Sequence, residues 1–391
     1  MTKIDKIYYN DVYREQFEAV VLDVAQAGGA YRVVLDATCF YPEGGGQPAD
    51  HGILGDCRVV DCRIEDDVVY HFLEDKPDFG VSDVVAGKID WPRRFGFMQN
   101  HTGEHLLSGL AKRWFGATNV GFHMSERGFT IDFDVPLSWE QLVELETSAN
   151  ELAWADAAIK THVVAGIDMS DFEARAKRVF AADEVVRIVE IPELDICACA
   201  GLHVRRLGEV GLVKITAAQR YKGGTRINVY CGRDAMWDYT RKNDILRELS
   251  GELSAETDSI IAAVGKLKDA RATAKKDADA LKHRLFAVLA ERVAADAPLA
   301  WFAEDGLDAD DLRRLAGLTS AAGRAKIAIA LSAAGAVYKY AACAADGAAL
   351  GDFAAKLNAA CDGKGGVSNN VAQGALKADF AAVAAFLEGW T

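Results

Sequence analysis

The sequence predicts an α+β chain of several domains, and three patterns carry that reading. Short β-branched runs between Gly- and Asp-rich turns fill the first ninety or so residues, which predicts a small β-barrel. Helical and strand patterns then mix over residues 91–235, as in an α+β domain. Residues 236–297 hold no Pro and two Gly, and their apolar residues recur at spacings of three and four, which predicts a long helical or coiled-coil segment. Residues 298–391 complete the chain as a small, Ala-rich α/β domain.

A length of 391 residues suits two to four domains, each able to bury a core. The composition, 50% hydrophobic and 26% charged, is that of a globular chain. No apolar run is long enough to span a membrane, and the N-terminus lacks an apolar signal core, so the expectation is a cytoplasmic protein with no membrane partner. Eight cysteines in so long a chain form no disulfide framework; clustered ones point to metal instead. The net charge of −14 argues against broad, non-specific binding to nucleic acid. It leaves room for a local basic groove. The basic clusters Arg93-Arg94, Arg205-Arg206 and Arg220-Tyr-Lys222-Gly-Gly-Thr-Arg226 each read singly as solvated surface.

In chain order, Ala19–Val24, Tyr31–Asp36, Asp56–Ile64 and Asp67–Phe72 are the barrel strands. Among them lies Cys39-Phe-Tyr-Pro-Glu-Gly44-Gly45-Gly46-Gln47-Pro-Ala-Asp50. Three glycines in a row let backbone approach a ligand or another chain, and Gln47 offers both a carbonyl and an amide. The loop lacks the Lys-Ser/Thr of a phosphate-binding loop. Trp91-Pro92 marks a boundary, and Arg93 to about Phe115 forms a helix with Phe97, Leu106, Leu107 and Leu110 near helical spacing. On that helix His101 and His105 stand four apart, one turn from each other on one face. Imidazole is a common zinc ligand and zinc takes four ligands, or three and a water, so partners are expected elsewhere. Ile196-Cys197-Ala-Cys199-Ala-Gly-Leu-His203 supplies a thiolate and a third imidazole. Each motif alone is weak; together they predict one zinc site from His101, His105, Cys199 and His203, with Cys197 as a competing ligand. Glu104 directly precedes the second His, so the pattern is not the His-Glu-x-x-His of a metalloprotease.

Val120 to Asp134 reads as a hairpin, with His123 facing either the site or solvent. Trp139 to about Lys160 is a helix with an acidic start, Asp168 to about Lys177 a short helix, and Val185–Ile191 a strand. Val210–Ile215 and Arg226–Tyr230 are further strands. Gly251 and Gly265 are bend points in the helical segment, which pairs with itself or a second copy in preference to packing on RNA. Pro298 ends it. Lys326–Leu331 and Ala336–Cys343 are strands; Asp352–Cys361 and Ala378–Leu387 are helices. Between these helices, Asp362-Gly363-Lys364-Gly365-Gly366 is a loop whose N–H groups suit a phosphate.

With these motifs in this order, the chain resembles the editing half of alanyl-tRNA synthetases and the free-standing alanyl-tRNA editing proteins called AlaX, over essentially its whole length. It begins where the editing barrel begins, so the resemblance is to the free-standing kind. The helical segment and last domain resemble the C-terminal extension of the long AlaX form, a DHH-associated domain. The resemblance implies one zinc per chain on His101, His105, Cys199 and His203. It implies an acyl-end pocket shaped by Gly44, Gly45, Gly46 and Gln47, and a threonine, Thr102, after the first His. Substrate contacts are expected from His123, Lys222, Arg226, Gly363, Lys364, Gly365 and Gly366, and catalytic roles from Gln47, Thr102 and Glu104. Two departures stand out. Cys199-Ala-Gly-Leu-His203 has Leu202 where the synthetases have a hydroxyl, and Gly103-Glu104 replaces their usual Ala-Thr.

The expected activity is trans-editing: hydrolysis of the ester joining serine or glycine to alanine tRNA. Serine differs from alanine by one hydroxyl, which an apolar synthetic pocket rejects poorly, so a second sieve is needed. A non-catalytic, zinc-stabilised tRNA-binding or dimerisation module is the alternative, with a homodimer formed through the helical segment and last domain. A DHH phosphodiesterase is disfavoured, since no Asp-His-His occurs.

Overall fold

The computed structural model describes residues 4–27, 29–166, 168, 172, 174–175 and 179–390. The chain divides into two compact units, Met1–Glu248 and Leu249–Thr391.

In the first unit, six strands close into a barrel in the order Gln16–Ala27, Ala30–Leu35, Val68–Leu73, Cys57–Glu65, Gly52–Leu54, Val84–Ile89. Strand alternation fills it. Val69, His71 and Leu73 point inward from one strand and Val85, Gly87 and Ile89 from another. Phe17, Val33, Leu35, Phe40, Leu54 and Val59 complete the interior, each such side chain worth about 1.5–3 kcal/mol of burial. Gly87 has no side chain because the Phe17 ring occupies that space: a Cβ there would stand 2.3 Å from it.

The helix Trp91–Phe115 runs through the core of this unit. Asp90 caps its start by accepting the Arg93 N–H at 3.1 Å, Pro92 sits in the first turn, and Gly116 closes it at φ 64°. Every residue from Gly96 to Ala111 is buried. Phe97, Met98, Leu106, Leu107 and Leu110 share one core with Ile131, Ile227 and Val229. The latter come from a four-stranded sheet ordered Val213–Tyr221, Gly224–Cys231, Phe129–Phe133, Asn119–Met124. A three-stranded sheet, Lys160–Ala165, Val185–Ile191, Asp195–Ala198, delivers Cys199 from its last strand.

Several local expectations change. The helix from Trp139 ends at Ala155, and Lys160 opens a strand paired antiparallel with Val185–Ile191. The short helix expected at Asp168–Lys177 lies mostly outside the described residues. Arg94 is not solvated surface. It is wholly buried and forked onto Asp50, with further bonds to the carbonyls of Val12 and Cys39 at 3.1 and 2.6 Å. A second basic residue in sequence carries no mark that it faces inward; only its helical phase relative to Phe97 does.

The helical segment is two helices, Gly232–Leu253 and Ile260–Glu291. They are separated where Ser254 takes φ 47°, while Gly265 lies inside the second helix. That helix stops at Glu291, and Pro298 belongs to the strand Ala297–Ala303. In the second unit a five-stranded sheet runs in the order Ala297–Ala303, Ala325–Ala334, Val337–Ala344, Val371–Leu376, Gly363–Ser368. It has a core on each face. Ile327, Ile329 and Leu331 face one; Ala328 and Ala330 face the other, against Leu312, Leu315 and Phe286. The period of two splits the Ala-Ile repeat, and the small alanines let a helix approach closely.

Gly363–Gly366 form a strand rather than a loop. Gly365 pairs with Gly374, and a Cβ on Gly365 would stand 2.6 Å from the Tyr340 hydroxyl. The glycines admit a tyrosine and a close strand pair, a signal indistinguishable in sequence from a loop's.

Candidate metal centre

His101, His105, Cys199 and His203 come together, their ligand atoms all within 4.8 Å of one another. Helical periodicity sets the two helix residues: the ring centroids of His101 and His105 are 5.5 Å apart, and His203 lies 4.5 Å from each. Cys199 Sγ is 3.4 Å from His101 Nε2.

Each imidazole is held through Nδ1. Asp195 Oδ2 lies 2.9 Å from His105 Nδ1, Thr102 Oγ1 3.2 Å from His203 Nδ1, and Gln47 Oε1 3.3 Å from His101 Nδ1. Anchoring by Nδ1 turns Nε2 toward the shared centre, which is how outer partners orient metal-binding histidines. His203 Nε2 is buried without a hydrogen-bond partner, an orphan acceptor of the kind a cation would satisfy. Electrostatics at Cys199 and His203 agree with the geometry. Burial alone would raise the Cys199 thiol, but His101, His105 and His203 outweigh it and hold it well below the usual range. Burial, then His101 and His105, keep His203 neutral. Burial opposes charge on His105, yet Glu104 and Asp195 push it up to about 10. A thiolate and imidazoles in tetrahedral number form a donor set suited to zinc. Asp195 is itself fixed by Arg175, at 2.5 and 2.8 Å; burial would raise its carboxyl, but His105 and then Arg175 outweigh it and hold it at about 2. His105, Asp195 and Cys197 form a second, overlapping group. Burial drives the Cys197 thiol far above the usual range.

The centre opens on a cavity of about 1330 Å³ whose wall includes His101, Glu104, His105, Cys199, Gly45 and Gly46. Glu104 is buried; its Oε1 accepts from Ser108 and Asn119, both at 2.6 Å, while Oε2 lies 3.6 Å from His105 Nε2. Burial would raise its carboxyl, but the facing His105 and Arg175 charges lower it. The glycine loop is closed on itself by mutual N–H to carbonyl bonds between Gly44 and Gln47. A Cβ on Gly45 would reach 3.2 Å from the Gly201 N, so these two loops touch.

Other expected residues sit elsewhere. His123 is exposed on the strand Asn119–Met124, and the alternation turns Phe122 inward, stacked on His101 at 5.3 Å. Arg226 is bound to Asp132 at 2.5 and 2.7 Å and lies over Tyr221. Lys222 occupies the hairpin turn at φ 47°. Gly363–Gly366 belong to the second unit. The sequence reading missed Phe122, Asp195, Arg175 and Arg187. Asp195 and Arg187 carry no motif, and strand pairing alone brings them to the site.

The model for class II tRNA synthetases (A) matches residues 5–93, and that for the threonyl and alanyl tRNA synthetase second additional domain matches residues 186–228. The alanyl-tRNA editing protein AlaX-L of Pyrococcus horikoshii is 29% identical over 256 residues, 64% of this chain and 63% of that protein. Alanine–tRNA ligase of Ignicoccus hospitalis is 31% identical over 72% of this chain and 32% of its own length. That of Halobacterium salinarum is 35% identical over 63% and 28%. The chain thus spans under two thirds of the length of these relatives. The C-Ala domain from Aquifex aeolicus alanyl-tRNA synthetase is 19% identical over 25% of this chain and 96% of that one, at a TM-score of 0.21, too low to assign a shared fold. The matched segments carry the glycine loop and the strand that leads to Cys199, and in them the chain is similar to the editing-type domains of alanyl-tRNA synthetases and to an alanyl-tRNA editing protein.

Proposed function

We propose that this chain is a zinc-dependent aminoacyl-tRNA deacylase, hydrolysing the ester of serine or glycine on alanine tRNA. The observation that carries this reading is the closure of three histidines and a cysteine to within 4.8 Å, with His101, His105 and Cys199 in the wall of a large cavity. The similarity to an alanyl-tRNA editing protein supports the substrate class.

His101, His105, Cys199 and His203 would hold the metal. Bound there, zinc supplies a Lewis acid for the ester carbonyl or a water. The protein's own groups do the rest. Gln47 and Thr102 fix the imidazoles, Gly45 and Gly46 line the pocket and let the Gly201 backbone and the Phe122 ring close against them, and Phe122 walls the pocket. Glu104, ionised with Oε2 directed at the centre, takes the proton of the attacking water and returns it to the leaving ribose hydroxyl. Water attacks the acyl carbon, the acyl–oxygen bond breaks, and the free amino acid and tRNA leave.

Residues 1–90 and 91–235 together make the editing portion in this reading, and 298–391 a DHH-associated-like domain in a cytoplasmic protein. Exposed Ile261, Leu267, Leu281, Leu285 and Val288 on one helix support pairing with a second copy. Lys222, Arg226, His123 and Gly363–Gly366 are retained as outer tRNA contacts.

The test is release of serine and of alanine from charged alanine tRNA, by the intact protein and by His101→Ala. Fast release of serine, slow release of alanine and loss in the variant are expected. No release of serine or glycine by zinc-loaded protein overturns the reading in favour of a binding module.

A further inference from the structure

An acidic chain must hold an anionic substrate, and most of the cavity's cations are already neutralised. Among the described residues lining it, Lys6 is paired with Asp67 and Arg175 with Asp195. Among the described residues, Arg187 has no carboxylate partner. Its Nη1 donates to the carbonyls of Cys199 and Gly201 at 3.2 and 2.7 Å, and Nη2 reaches Thr161 Oγ1 only at 3.4 Å. Its Nε is buried with no partner. The Tyr9 ring lies 5.8 Å below the guanidinium and lines the same cavity. A buried donor left unpaired is costly unless a ligand completes it. The guanidinium fork suits a phosphate, and its carbonyl bonds fix its orientation beside the Cys199 loop.

We infer that Arg187 binds a phosphate of the nucleotide that carries the ester, anchoring the substrate's anionic end in the cavity while the acyl end reaches the metal centre; this rests on the deacylase reading. The unpaired Nε proton and the Nη2 proton not directed at Thr161 are the donors. Tyr9 offers a face for the base or sugar beside that phosphate. A residue serving only to brace the loop would have its bonds to Cys199 and Gly201 but no need of an unpaired buried donor.

The probes are two non-hydrolysable compounds: adenosine bearing serine at the 3′ position through an amide, with and without a 5′-phosphate. Binding is measured to zinc-loaded wild type, Arg187→Gln and Arg187→Lys, with zinc content read in parallel. The wild type is expected to prefer the phosphorylated form about tenfold or more. Arg187→Gln, whose shorter neutral amide lacks the guanidinium fork, binds the two forms equally, with zinc content and affinity for the unphosphorylated form unchanged. Arg187→Lys keeps part of the preference. Wild type that binds both forms without preference overturns the inference alone. So does an Arg187→Gln variant that keeps the preference, or that weakens both forms alike. If the wild type binds neither, the deacylase reading falls, and the inference with it.

Discussion

Gln47 Oε1 accepts the backbone N–H of Leu202 at 2.9 Å while standing 3.3 Å from His101 Nδ1. One buried amide thus ties the glycine loop, the Cys199–His203 loop and the metal helix together. Gln47→Leu leaves a buried N–H unpaired and should destabilise the chain by about 1–3 kcal/mol, read from the urea midpoint. It should also weaken zinc binding about tenfold to a hundredfold. An unchanged midpoint and zinc affinity would remove Gln47 from this role.

Asp50 and Arg94 lie opposite each other, both wholly buried, and Asp50 also accepts the Tyr41 N–H at 2.7 Å. Removing one partner strands the other charge. Asp50→Ala or Arg94→Met should each cost about 3–5 kcal/mol, and the double variant clearly less than their sum. Additive losses in a double-mutant cycle would contradict the pairing.

Asp195 orients His105 from behind. Asp195→Asn keeps the shape and loses the charge, so zinc affinity should fall about tenfold to a hundredfold while the fold survives. Competition with a chelator at fixed pH measures it, and circular dichroism checks the fold.

His71 is neutral inside the barrel, where burial lowers its pKa from an ordinary 6.5 to about 4. Between those values the unfolded chain binds more protons than the folded one. Stability is therefore full above about pH 6.5 and falls as pH drops toward 4, by roughly 3 kcal/mol at most. In His71→Gln the slope across that window should be shallower. An unchanged slope would mean other groups set it.

Gly103 faces Cys231, whose Sγ would lie 2.2 Å from an added Cβ. Gly103→Ala should cost about 1–3 kcal/mol by overpacking despite alanine's better helix propensity. Adding Cys231→Ala should recover most of it. Thermal unfolding of the three variants decides this.

The sequence by itself determined what repeats locally. His101 and His105 share a face because a helix has 3.6 residues per turn. The inward strand residues follow from a period of two, and the Cys199/His203 segment carries its own ligand spacing. Tertiary structure decided the rest. Arg94 is buried and Arg93 beside it pairs with Glu126 near the surface, although the two read alike. Phe122 rather than His123 meets His101. The glycines at 363–366 serve a strand pair, not a loop. Asp195, Arg175 and Arg187 reach the centre across chain distances that no local pattern records. The physical reason is that hydrophobic periodicity says which face is buried, whereas the partner of a buried polar group is fixed only when distant strands and loops pack against each other.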